Sequence, residues 1–277
     1  MTATVAESSD PSDLTPLPRP ALQPRFVAIR AIVALMLREM ASTYGNSPGG
    51  YLWAILQPVG MLLLLSVAFS LLVRAPALGT SFILFYATGF LPFDMYGEIA
   101  GKVAGALKYS RALLSYPRVS WIDTILARLF LNFLTLLMVF CILITGILLT
   151  NDTHTTIHMV PVIQGLVLAA LLGLGVGLCN GVLGGLFPVW STIWSILSRP
   201  LFLASGIFFI YESLPRFVQD ILWWNPLIHV TGLVRRGFYS TYDGTYISMT
   251  YGYGVALILI LLGLIFMRAH YKRVLER

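Results

Sequence analysis

The chain has 277 residues, 57% of them hydrophobic and 11% charged, with a mean hydropathy of +0.82, whereas soluble domains carry about 25% charge. A soluble globular protein is excluded. The net charge of +6 comes from 18 Lys and Arg dispersed over many loops, a pattern that sets membrane orientation rather than a basic patch for nucleic acid.

Residues 1–24 carry Glu7, Asp10 and Asp13 among Pro11, Pro16, Pro18, Pro20 and Pro24. Without the apolar core of a signal peptide, this arm is expected to be a disordered cytoplasmic tail. From Phe26 to Tyr44 the apolar residues Phe26, Ile29, Val33, Met36, Leu37 and Met40 recur at three-to-four spacing. They predict an amphipathic helix over residues 25–45, lying in the membrane interface or packed on the protein beside it. Ser47-Pro48-Gly49-Gly50 breaks it.

A run of about 20 apolar residues is needed to cross ~30 Å of hydrocarbon as a helix. Two such runs follow, Leu52–Val73 and Ser81–Ala100, joined by a turn at Arg74-Ala75-Pro76. Lys102–Arg118 holds Lys102, Lys108, Arg111 and Arg118 without an acidic residue, which places it in the cytoplasm. A third span, Trp121–Leu149, opens on the capping pair Ser120 and Asp123 and leads to a loop, Asn151–His158, that lacks Lys and Arg and so faces away from the cytoplasm. The fourth, Val160–Phe187, carries Gly173, Gly177, Gly181 and Gly185 at four-residue spacing, a groove where another helix can approach. The fifth is expected over Trp190–Tyr211. Between Glu212 and Ile247, apolar residues are interrupted by Pro215, Asn225-Pro226 and Arg235-Arg236, a pattern that predicts two short helices dipping into the outer face. The sixth span, Ser248–Met267, precedes Arg268, Lys272, Arg273 and Arg277, so both ends are expected in the cytoplasm. The fold class is an all-α polytopic membrane protein: six transmembrane helices over residues 52–267, an N-terminal interfacial amphipathic helix, two short re-entrant helices within 212–247 before the last span, and a cytoplasmic tail at 268–277.

Catalytic motifs are scarce. Gly97–Lys102 lacks the spacing and hydroxyl of a nucleotide-binding loop, so ATP hydrolysis by that chemistry is not expected of this chain. His154 and His158 have no third ligand, no metal site is expected, and Cys141 and Cys179 imply no disulfide framework. Asn151-Asp152-Thr153 matches a glycosylation acceptor only by its tripeptide. Asp94, Glu98 and Lys102 share one helix face and suit either a polar path or the water-exposed end of a span. Arg199 lies deeper, able to meet an anionic substrate or to bind backbone carbonyls. The aromatics Tyr51, Trp53, Trp121, Trp190, Trp194, Tyr211, Trp223 and Trp224 fit an interfacial belt or a stacking track for sugar rings. Six helices leave little room for a wide pore in one subunit, and a symmetric pair is the economical solution.

Arg38-Glu39 through Tyr44-Gly45, followed by Gly50-Tyr51-Leu52-Trp53-Ala54-Ile55-Leu56-Gln57-Pro58, resembles the opening of membrane subunits of bacterial polysaccharide ABC exporters. Ile122-Asp123-Thr124-Ile125 with Ala127-Arg128, and Trp224-Asn225-Pro226-Leu227-Ile228-His229-Val230 with Arg235, extend the likeness to the capsular-polysaccharide branch, from about Arg25 onward. The resemblance implies a homodimeric, multi-pass permease of the bacterial inner membrane, with both termini cytoplasmic. It implies a separate cytoplasmic ATPase dimer that holds ATP and Mg, no cofactor on this chain, a periplasmic co-polymerase or adaptor, and an anionic polysaccharide glycolipid as cargo among the membrane lipids. Candidate path residues are Tyr51, Trp53, Gln57, Trp190, Trp194, Arg199, Tyr211, Trp223 and Trp224. Candidate ATPase contacts are Arg38, Tyr44, Lys108, Arg111 and Arg118. Gly45-Asn46-Ser47-Pro48-Gly49 departs from relatives that often carry more basic residues there. Open alternatives are a related exporter of O-antigen, teichoic acid or drug, and a membrane-embedded lipid or sugar transferase that would use Asp94, Glu98 and the histidines.

Overall fold

A computed structural model of the chain describes residues 27–44, 50–114, 119–151 and 156–276. The expected tail 1–24, Arg118 and His154 lie outside these residues, as do the side chains of Tyr44 and Tyr51. Among the described residues the fold is all-helical: α1 (Val27–Tyr44), α2 (Tyr51–Leu72), α3 (Phe82–Ala104), α4 (Ala106–Tyr109), α5 (Trp121–Thr150), α6 (Met159–Leu186), α7 (Trp190–Leu203), α8 (Arg216–Leu222), α9 (Pro226–Phe238) and α10 (Met249–Glu276). Four of them, α2, α5, α6 and α10, are long and apolar enough to cross a membrane.

Helix α6 is the centre of the bundle, packed against α3, α9 and α10. Glycines let these backbones approach. A Cβ on Gly173 would stand 2.8 Å from the Tyr96 carbonyl oxygen, and one on Gly177 2.8 Å from that of Ala100. Gly181 meets Ala104 of the same helix, so the expected groove receives α3. Gly185, in register with these three, is instead covered by Val274 of α10. Gly175 also faces α10, at Leu259.

Helix α5 starts on the capping box read from the sequence: the Ser120 side chain accepts from Ile122 N, and Asp123 accepts from Ser120 N at 2.9 Å. Helix α10 continues past Met267 to Glu276 as one helix, and Trp121 stacks on Tyr271 there.

The fifth apolar run departs from expectation. Helix α7 ends at Leu203 after 14 residues, about 21 Å of rise, and residues 204–210 form an irregular turn with Gly206 at φ +79°. Side chains of the following region hold that turn open. Asn225 Nδ2 donates to the Ala204 carbonyl (2.9 Å), Thr231 Oγ1 to that of Ser205 (2.9 Å), and Arg235 to those of Ile207 (2.9 Å) and Phe209 (2.7 Å). Non-helical backbone away from water needs such internal partners. Arg235 is 2% exposed, and its guanidinium lies 4.2 Å over the Phe85 ring.

Candidate functional site

At one end of the bundle, α1 lies along α5. Its apolar residues Ile29, Val33, Leu37 and Met40 are exposed, three or four apart on one stripe, while Glu39 on another face is buried. The helix therefore packs on the protein, one of the two placements weighed from the sequence, and presents an apolar edge outward. Glu39 pairs with Arg128 of α5, Nε to Oε1 at 3.0 Å. Arg128 Nη1 donates to the Lys102 carbonyl at the end of α3 (2.8 Å), and its guanidinium sits 4.1 Å over the Tyr109 ring of α4. The Tyr109 hydroxyl is hydrogen-bonded to Ser42 of α1. This knot was not singled out in sequence. Glu39 and Arg128 are separated by 89 positions, and although each stands in a stretch that carries the family likeness, nothing local pairs them.

Around the knot, the described candidate contacts Arg38, Lys108 and Arg111 are exposed. One end of the molecule thus offers α1 and α4 as neighbours, with cations outward.

A cavity of about 270 Å³ opens between α2, α3 and α5, lined by Trp53, Gln57, Asp94, Glu98, Lys102, Asn132 and Thr135. The structure brings two path candidates, Trp53 and Gln57, to the acidic pair. Asp94, Glu98 and Lys102 are all half-buried. The stretch Gly97–Lys102 is helix interior in α3, without the loop on which backbone N–H groups cradle phosphate.

Trp194 and Arg199 lie elsewhere, on α7, where they line a cavity of about 580 Å³ with Phe93, Tyr96, Ser198 and Phe202. No residue of α7 is buried. Arg199 is exposed, and the carbonyl-binding role weighed for it belongs instead to Arg235. Trp190, at the start of α7, donates from Nε1 to Asn180 Oδ1 at 2.9 Å, which ties α7 to α6.

The third group, Tyr211, Trp223 and Trp224, joins a ring cluster with His229, Tyr246 and Tyr251. Tyr211 stacks on Tyr246 at 4.1 Å, and the Trp223 ring lies tilted by 32° against that of Tyr251 at 4.7 Å. Trp223 Nε1 donates to the Tyr246 carbonyl, and Tyr211 is buried with its hydroxyl on the Gln219 carbonyl. Of the three, Trp224 alone is exposed, at 68%. His229 is fully buried: Nδ1 accepts from Ser248 N (3.2 Å), so Nε2 carries the proton donated to the Trp223 carbonyl (2.9 Å). That pair of bonds holds a neutral imidazole in one tautomer.

The path candidates thus occupy separate surfaces of one chain. Among the described residues His158 does not join Asp94 and Glu98 in the transferase grouping: it precedes α6, and its backbone N–H donates to the Gly237 carbonyl. Among the described residues, no three His, Cys, Asp or Glu side chains gather as a metal site.

The family model for ABC-2 type transporters matches residues 30–239. The polysialic acid transport protein KpsM of Escherichia coli is 31% identical over 244 residues, spanning 88% of this chain and 95% of its own. The capsule polysaccharide export inner-membrane protein BexB of Haemophilus influenzae is 30% identical over 247 residues, 88% of this chain and 92% of its own. CtrC of Neisseria meningitidis serogroup A, named likewise, is 24% identical over 243 residues, again 88% and 92%.

Proposed function

This chain belongs to the ABC-2 type transporter family of membrane proteins, and from that premise we propose that it is the transmembrane subunit of an ATP-driven exporter moving capsular polysaccharide across the bacterial inner membrane. The observation that carries this reading is the alignment over nearly nine-tenths of the chain with proteins named for capsule polysaccharide and polysialic acid transport.

In this reading the chain crosses the membrane six times: through α2, α3, α5, α6 and α10, and through α7 with its irregular continuation, while α8 and α9 re-enter from the outer face. Two copies pair, with the unburied α7 and the separate path candidates meeting across the pair. Anionic cargo bearing a glycolipid passes Trp53, Gln57, Trp194, Arg199 and Trp224, with Trp190, Tyr211 and Trp223 on or behind that surface, and Tyr51 is assigned to the path from the sequence alone. A cytoplasmic ATPase dimer carrying ATP and Mg docks on Arg38, Tyr44, Lys108, Arg111 and Arg118. A periplasmic partner receives the glycan, and both termini stay in the cytoplasm.

The test is ATP hydrolysis by the assembly retrieved from native membranes through a tag on this chain, with and without anionic capsular glycolipid. A co-retrieved ATPase stimulated by the glycolipid supports the assignment. An ATPase indifferent to it leaves an exporter of other cargo, and absence of any ATPase overturns the reading.

A further inference from the structure

We infer that Arg128 is the joint through which motion of the docking elements α1 and α4 reaches the membrane helices α3 and α5. The inference rests on the exporter reading above. Arg128 belongs to α5, and its guanidinium contacts three other helices at once: Glu39 of α1 at 3.0 Å, the Lys102 carbonyl of α3 at 2.8 Å, and the Tyr109 ring of α4 at 4.1 Å. Both partners of the ion pair are 7% exposed, so the pair works at low dielectric and escapes the screening that weakens surface pairs. A planar guanidinium suits this role because its fork of donors and its flat face serve several partners in one orientation.

The contacts of α1 and α4 meet at Arg128. Helix α1 packs chiefly on α5, and its opposite stripe, Ile29 to Met40, is apolar and outward, where lipid can hold it but cannot transmit direction. Helix α4 is a single turn whose Tyr109 touches both Arg128 and Ser42. On the membrane side, the Arg128 carbonyl accepts from Asn132 Nδ2 at 2.7 Å. Asn132 lines the polar cavity together with Lys102 and Glu98. A displacement of α1 therefore meets, within one turn of α5, the wall of the cleft that holds Trp53 and Gln57. Arg128 is a positioning residue in this scheme, since it meets neither cargo nor nucleotide.

The experiment uses the full assembly with its ATPase in lipid nanodiscs and in cells, comparing wild type, Glu39→Gln, Arg128→Glu and the exchanged pair Glu39→Arg with Arg128→Glu. The readouts are glycan exported per ATP hydrolysed and amide hydrogen exchange over α1. Each single variant is expected to lower export per ATP by about tenfold, the scale on which residues along a coupling network act, and to speed exchange in α1. The exchanged pair restores the α1–α5 ion pair but not the contacts to the Lys102 carbonyl and the Tyr109 ring, so it should recover part of both, whereas a merely structural loss would lower export and ATP hydrolysis together and leave their ratio unchanged. Single variants within twofold of wild type in export per ATP, or an exchanged pair no better than Arg128→Glu, overturn the joint. A wild-type assembly without ATP-linked export overturns the exporter reading instead, and the joint with it.

Discussion

Arg235 Nη1 donates to the Phe209 carbonyl oxygen at 2.7 Å across 26 positions of sequence, and Nη2 of the same guanidinium reaches Ile207. One side chain of α9 thereby completes the backbone of the turn that ends α7. Removing it strands the buried Ile207 carbonyl and the partly buried carbonyl of Phe209. Each unsatisfied group costs about 1–3 kcal/mol, so Arg235→Met is expected to destabilise the protein by roughly 2–6 kcal/mol. Arg235→Lys should recover only a part, because a compact ammonium cannot fork to both oxygens. Thermal unfolding in nanodiscs measures this, and an unchanged midpoint in Arg235→Met would mean that the turn stands without it.

The glycines of α6 supply a matched pair. A Cβ on Gly177 would meet the Ala100 oxygen and Val103 Cβ, each at 2.8 Å, whereas one on Gly184 finds nothing within 4 Å. Gly177→Ala should force α3 and α6 apart and destabilise by about 1–3 kcal/mol, as overpacking does. Gly184→Ala should be neutral or stabilise by up to about 1 kcal/mol through helix propensity. Equal effects of the two in the same unfolding assay would contradict the close approach assigned to Gly177.

These examples mark what the sequence makes legible. The four long apolar helices α2, α5, α6 and α10, the cap at Ser120 and Asp123, and the small-residue stripe follow from local rules, because the responsible residues lie within a few positions of each other. The early end of α7 does not. Residues 204–210 remain apolar, and their helix is replaced by bonds from Asn225, Thr231 and Arg235, 21 to 28 positions away. Asn225-Pro226 and Arg235 were visible as interruptions of an apolar stretch, yet nothing local says whose carbonyls they satisfy. Glu39 and Arg128 pose the same difficulty over a longer separation. Gly185 shares the spacing of Gly173, Gly177 and Gly181 but faces another helix, since a four-residue repeat drifts around a helix of 3.6 residues per turn.

Arg199 is exposed on α7 beside Trp194 and Ser198, and no carbonyl among the described residues holds it in the way carbonyls hold Arg235. Its removal should leave stability within about 0.5 kcal/mol of wild type, as for surface positions free of special contacts. Arg199→Ala is expected to impair export of an anionic glycan, and Arg199→Lys to retain more of it because the charge persists. Capsule appearing at the cell surface at wild-type rate in Arg199→Ala would remove this residue from the path.

Lys108 and Arg111 stand exposed beside the Arg128 knot, and their value to docking is electrostatic. Exposed charges act over about 8 Å at physiological ionic strength and about 3 Å at 1 M salt. Reversing both, with Lys108→Glu and Arg111→Glu, should weaken retention of the ATPase strongly at low salt and by less as salt rises. The dependence has a definite sign: wild-type retention falls with added salt because favourable pairs are screened, while the reversed variant gains relative to wild type because its repulsion is screened as well. A folding defect would lower retention equally at every ionic strength, so the two causes separate in one titration. Co-retrieval of the ATPase with the tagged chain, measured from low to high salt, decides it. Parallel curves for variant and wild type would show that this end of the molecule docks without these cations.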